Sequence, residues 1–186
     1  MRKVMVLVAV AACAWLTGCI PPSASTVKKE PAPSVKEVSI ASQFEADKAR
    51  EMSQGKGNNT IKGSALMRQS GGGVVTCAGK TVSLVPAIAY AKEKIQAVYG
   101  NTQRGAVSYY DAFLIVFSPD IPYETFSRSS ICDAQGFFKF EEVPDGEYFV
   151  TVVITWSGGS YLTQGGYLMQ RVEVKEGKAV EVVLAP

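Results

Sequence analysis

The stretch from Cys132 to Ile154, CDAQGFFKFEEVPDGEYFVTVVI, restricts the fold more than any other part of the chain. Asp133-Ala134-Gln135-Gly136 supplies an aspartate that can bond its own backbone and a glycine free to take positive φ. Val143-Pro144-Asp145-Gly146 is a second turn of the same chemistry. Between the turns, Phe138 and Phe140 share one face of a strand, with Phe137 and Lys139 on the other. After the second turn Tyr148, Val150, Val152 and Ile154 again share a face. Turn, strand, turn, strand reads as a β-hairpin. Its second face, formed by Phe137, Phe149 and Val153, is more apolar than a solvated sheet face should be. Another element must cover it, and the nearest candidate is the helix expected at 87–98, with a partner protein as the alternative.

The flanking residues continue the pattern. Thr60 to Gln69 alternates unevenly as a first strand, Gly71-Gly72-Gly73 makes a loop, and Lys80 to Val85 alternates cleanly until Pro86. Ala87 to Tyr99 changes period: Ile88, Ala91, Ile95 and Val98 fall on one helical stripe, closed by Gly100. Ala112 to Phe117 reads as a buried strand or core turn, so the helix and the region after it look like an insertion into a β framework. A glycine-rich loop follows Trp156 and runs through Gly165-Gly166. Tyr167–Val174 and Ala179–Leu184, joined by Lys175-Glu176-Gly177-Lys178, read as a last hairpin. Turns at such short intervals predict a β-sandwich.

The pattern D-x-x-G-x-F-x-F followed by V-P-x-G-x-Y-x-V resembles the carboxypeptidase-regulatory-like domain. It is carried by Asp133, Gly136, Phe138, Phe140, Val143, Pro144, Gly146, Tyr148 and Val150. Gly63 and the stretch from Gly79 to Leu84 fit the first hairpin of that family more loosely. The resemblance implies an all-β fold, an Ig-like or prealbumin-like sandwich over 60–186, with 87–128 as extra sequence. It also implies a module that folds or binds beside other proteins and does not catalyse. In the family's topology Cys77 and Cys132 lie at turns on the same end of the sandwich, which implies a disulfide between them; the alternative is two buried, inert cysteines.

At the N-terminus, Arg2 and Lys3 precede an apolar run from Val4 to Leu16, too short to span a bilayer. Leu16-Thr17-Gly18-Cys19 resembles the lipobox of bacterial lipoproteins. That resemblance implies a signal peptide over 1–18 and a lipid-anchored Cys19, with several acyl chains giving lasting attachment. Ile20 after the cysteine implies, in Gram-negative bacteria, export to the outer membrane. Residues 19–59 then read as a flexible linker. Pro21 to Val38 is rich in Pro, Ser, Ala and Lys, and a short helix is expected near 42–53, capped by Ser42 with Glu45 three residues on.

The chemistry the chain can carry is limited by its residues. It has no histidine, which removes Ser-His-Asp and Cys-His nucleophile systems and His-containing zinc sites. Loss of Arg2 and Lys3 with the leader brings the net charge of +2 to zero, leaving no basic footprint for nucleic acid. Glu141, Glu142, Asp145 and Glu147 flank a turn, where carboxylates are usually solvated, so no catalytic residue, metal site or cofactor is expected. Trp156, Tyr161 and Tyr167, with glycines between, form a candidate aromatic platform for a sugar ring or a peptide. The expected protein is therefore a non-enzymatic envelope lipoprotein with a binding or scaffolding sandwich. Its partners are the membrane and an envelope protein or glycan, and the alternative role is carbohydrate or peptidoglycan recognition through the exposed aromatics.

Overall fold

The computed structural model describes residues 34–157 and 163–186. In chain order these form β1 (Lys36–Ser39), α1 (Ala46–Gln54), β2 (Asn59–Arg68), β3 (Val74–Thr76), β4 (Thr81–Pro86), α2 (Ala89–Tyr99) and β5 (Arg104–Ser108). They continue with α3 (Tyr109–Phe113), β6 (Ile115–Ser118), a 3-10 turn at Tyr123–Phe126, β7 (Arg128–Ile131), β8 (Phe137–Val143), β9 (Gly146–Ser157), β10 (Thr163–Val174) and β11 (Ala179–Leu184). The leader, Cys19 and Tyr161 lie outside the described residues. No helix among the described residues is long and apolar enough to cross a membrane.

The architecture is an all-β sandwich with a small helical insertion. One sheet has the order β5-β10-β9-β4-β7 and is antiparallel throughout. In the other, β2 pairs with β11 in parallel and with β3 and β8 in antiparallel. Between the sheets lie Ile61, Leu84, Phe138, Phe140, Tyr148, Val150, Val152, Ile154, Leu168 and Leu184, all buried. Each comes from the face that alternation assigns to the core. Cys77 and Cys132 are disulfide-bonded, with Cα atoms 5.7 Å apart.

Two expected hairpins are not hairpins. β8 pairs with β2, whereas β9 pairs with β4 and β10, so Val143–Gly146 carries the chain from one sheet to the other. Likewise β10 and β11 lie in opposite sheets, joined through Lys175–Lys178. The residues of a tight turn suit a corner as well as a hairpin. The choice falls to the strands, because β9 is apolar on both faces and so takes a central position with a neighbour on each side. The local turn chemistry is as expected: Asp133 Oδ1 accepts from the N–H groups of Gln135 and Phe137, both at 2.9 Å, and Gly136 sits at φ +87°.

Both corners converge on one buried side chain. Asn59, fully buried at the start of β2, donates to Val143 O (2.9 Å) and to Asp145 Oδ1 (2.8 Å), while its Oδ1 accepts from Lys178 N–H (2.9 Å). Tyr148 closes the first corner, its hydroxyl bonding back to Pro144 O at 3.1 Å. Burial pushes the Tyr148 hydroxyl from its usual 10.0 up to about 12.

The second, outer face of β9 is covered as expected in part. Phe149 packs with Tyr90, Ala91 and Ile95 of α2, together with Val85 and Met169. Phe137 is not covered and remains 54% exposed, because β8 lies in the other sheet. Glu147 ties α2 down: it pairs with Lys92 at 2.8 Å and with Arg171, and these partners hold its carboxyl below the usual range.

The residues before the sandwich join it. Lys36–Ser39, read partly as tether, is a strand running parallel to β6. The first helix begins at Ala46 without a side-chain cap. Ser42 instead donates its hydroxyl to Glu93 Oε1 at 2.7 Å, and the same carboxylate accepts from the N–H groups of Ala41 and Ser42. An ionised acceptor offered several donors outcompetes a helix cap, and the Glu93 carboxyl is held low chiefly by the Ser42 hydroxyl. At the other end of α1, the Arg128 guanidinium donates to the carbonyls of Ser53, Gly55, Glu141 and Glu142. Ala112–Phe117 does not form a buried strand; α3 and β6 divide it, and Phe113 is 76% exposed.

Replacing Asn59 by Ala is expected to lower the unfolding free energy by about 2–3 kcal/mol, since buried backbone groups at both corners lose their partner; urea unfolding measures it. Alkaline pH provides a second test. Above pH 10 the unfolded chain ionises Tyr148 while the folded chain keeps it protonated, so stability falls as pH rises from 10.0 through about 12. The difference between the wild-type slope and that of Tyr148→Phe over this window should carry that sign.

Candidate binding site: an aromatic groove at the end of the sandwich

Ser108 ends β5 and starts α3. Its hydroxyl accepts from Asp111 N–H at 2.9 Å and donates to Asp111 Oδ2 at 2.7 Å, a reciprocal cap on the first turn. That turn presents Tyr109 and Tyr110 above the edge formed by β5 and β10. Gly165 and Gly166 lie within β10, not in a loop, and their lack of a side chain is what brings the strands together. A Cβ on Gly166 would stand 2.1 Å from Val107 O, and one on Gly165 2.0 Å from Ile154 O.

The result is an open groove of about 430 Å³. One side carries Ser108, Tyr109 and Tyr110; the other carries Trp156 with Gln164, and Met67 and Arg68 from the end of β2 approach from the second sheet. Tyr110 is 57% exposed, and Arg68 is also exposed. The Trp156 indole N–H donates to Gln164 Oε1 at 3.0 Å, which fixes the ring while leaving it half-buried. Rings, a guanidinium, an amide and a hydroxyl thus line one concave surface, the composition that holds a polar ligand with apolar faces.

The expected platform of Trp156, Tyr161 and Tyr167 does not assemble from its two described members. Trp156 stands opposite Gln164, and Tyr167 opposite Val153, one residue out of phase along β9. Cross-strand partners share a face, so Trp156 lies on the inner face and Tyr167 on the outer. Tyr167 instead stacks on Tyr109, with ring centroids 6.0 Å apart and planes 10° from parallel. Burial first, and then Tyr109 beside it, raises the Tyr167 hydroxyl. Tyr109, Tyr110, Arg68 and Gln164 were not anticipated. The Ser108-x-x-Asp111 spacing is a helix-start signal that would have drawn notice to the two tyrosines following it; no local pattern marks Arg68 or Gln164. Among the described residues, no group of three or more Cys, Asp or Glu is placed to hold a metal ion.

No protein-family model matches the chain, and no curated protein matches it. Among solved structures it is similar to a protein from Pseudomonas aeruginosa described as a "putative carbohydrate binding protein", at 22% identity and a TM-score of 0.59. The likeness spans 78% of this chain and 99% of the other, and at that identity it concerns the fold.

Proposed function

We propose that the chain is a non-enzymatic lipoprotein of the bacterial outer membrane, anchored through Cys19, whose sandwich binds glycans of the cell envelope in the groove of Tyr109, Tyr110 and Trp156. The observation that carries the reading is the groove's lining. Two accessible tyrosine rings and an indole stand beside Arg68, Gln164 and Ser108. Sugar rings present C–H faces to aromatic rings and hydroxyls to amides and guanidinium groups, so both halves of the ligand find partners here. The name of the similar Pseudomonas protein supports the same class of ligand. The lipobox-like Leu16-Thr17-Gly18-Cys19 supports the anchor.

Two measurements test the reading. In a pull-down on purified peptidoglycan and lipopolysaccharide, Tyr110→Ala and Trp156→Ala should each weaken retention about tenfold, equivalent to about 1.4 kcal/mol of lost stacking. Because Tyr110 is exposed, its variant should keep the wild-type thermal midpoint; full retention by both variants would remove the groove as the site. In cells fed labelled palmitate, the wild-type chain should take up label and Cys19→Ala should not. Equal labelling of the two would remove the anchor.

A further inference from the structure

Among the described residues, the lining of the groove of Tyr109, Tyr110 and Trp156 includes one charged residue, Arg68, and no carboxylate. The stretches 67–73, 105–110 and 156–165, which supply that lining, hold no other charged residue in sequence. The acid that follows them most closely is Asp111, outside the lining, and its Oδ2 already receives the Ser108 hydroxyl. Arg128 and Arg171 are bonded to carbonyls and to Glu147, whereas Arg68 has no carboxylate partner among the described residues. Along β2, Met67 turns inward and packs against the core, so Arg68, the next residue, faces outward and is exposed. Its cross-strand partner Val74 is 53% exposed on the same face. Arg68 therefore stands at the rim of the groove, on the solvent side of Met67.

These placements favour one kind of sugar. A lining without carboxylates gives the hydroxyls of a neutral sugar no charged acceptor, and it repels no anion. A guanidinium without a partner offers a carboxylate two parallel N–H donors in a planar fork. Charge balance separates a carboxylate from a phosphate ester, which would bring about −1.5 to −2 charges against one cation. The rim position fixes where the acid must sit: on an arm outside the sugar ring, since the ring face is taken up by Tyr110 and Trp156. Given the glycan reading of the groove, on which this rests, we propose that the groove selects acidic sugars bearing an exocyclic carboxylate, as in a uronic acid or a sugar with a lactyl ether. The ring lies against Tyr110 and Trp156, and the carboxylate pairs with Arg68.

The test uses the full-length protein in lipid nanodiscs, with empty nanodiscs as control, and ligand-observed NMR titration of sugars paired with their own primary amides. One pair is N-acetylglucosaminyl-N-acetylmuramic acid, which carries a lactyl carboxylate, and its amide. The other is a hyaluronan tetrasaccharide, which carries uronates, and its amide. At least one acid should bind about tenfold more tightly than its amide, the difference one charge-assisted contact provides. That advantage should shrink as salt is raised, because the pair is exposed. Arg68→Gln should remove it, and since Arg68 is exposed the variant should keep the wild-type thermal midpoint. Tyr110→Ala should weaken acid and amide by a common factor and leave the advantage in place. Phosphorylated chitobiose should bind more weakly than the preferred acid. Acids and amides bound equally, both weakened by Tyr110→Ala, would overturn the selection while the glycan reading stands. Tighter binding of the phosphate, or an acid advantage that survives Arg68→Gln, would overturn the selection too, and no binding of any probe would overturn both.

Discussion

The sandwich depends on a single buried amide. Four chain crossings join its sheets, and Asn59 bonds to two of them, one through Val143–Gly146 and one through Lys175–Lys178. Its carboxamide is the one side-chain group suited to the place, since the site asks for two donors towards Val143 O and Asp145 and one acceptor for Lys178 N–H. An aspartate would offer no N–H donor, and a leucine would offer neither donor nor acceptor. Asp145 extends the clip by also receiving Glu176 N–H at 3.3 Å. With both corners fixed at this end, the strands run from there to the far end, where β2, β9 and β10 deliver Arg68, Trp156 and Gln164 to the groove.

Charge docks the helices of this protein. Glu147 receives Lys92 from α2 and Arg171 from β10, while Glu93 of α2 gathers the backbone of Ala41 and Ser42. Arg128 spends its guanidinium on four carbonyls, from the end of α1 and from the last turn of β8. Each contact joins residues of different segments of the chain. The burial of Phe149, Ile95 and Met169 supplies the remainder for α2.

The sequence disclosed alternation and turn chemistry well, because these are local. The inward set of Phe138, Phe140, Tyr148, Val150, Val152 and Ile154, the Asp133–Gly136 turn and the start and stop of α2 were all legible, and so was the need for α2 to cover Phe149. Pairing was not legible: Val143-Pro144-Asp145-Gly146 says that the chain turns, and only the completed sheets decide whether the next strand lies beside the last or across from it. Side-chain competition was hidden for the same reason. Ser42 reads as a cap until Glu93, 51 residues away in sequence, is known to be adjacent. Trp156 and Tyr167 do not share a face, and the phase between β9 and β10 that decides this comes from their pairing. The groove draws on at least four elements, and no window of sequence contains it.

The disulfide sits at the root of everything that distinguishes this sandwich from a plain one. Cys77 and Cys132 are 55 positions apart in the chain, and between them lie α2, α3 and β6, with Tyr109 and Tyr110, as well as β4, β5 and β7 of the five-stranded sheet. Because the bridge fixes where this stretch leaves and where it returns, the connections between its strands can lengthen or shorten without moving the frame. Doubling such a loop costs only about 0.6 kcal/mol in closure entropy. The frame and its cargo are thus free to evolve at different rates, with recognition surfaces exchanged inside a covalently closed bracket while Asn59 and the corners stay as they are.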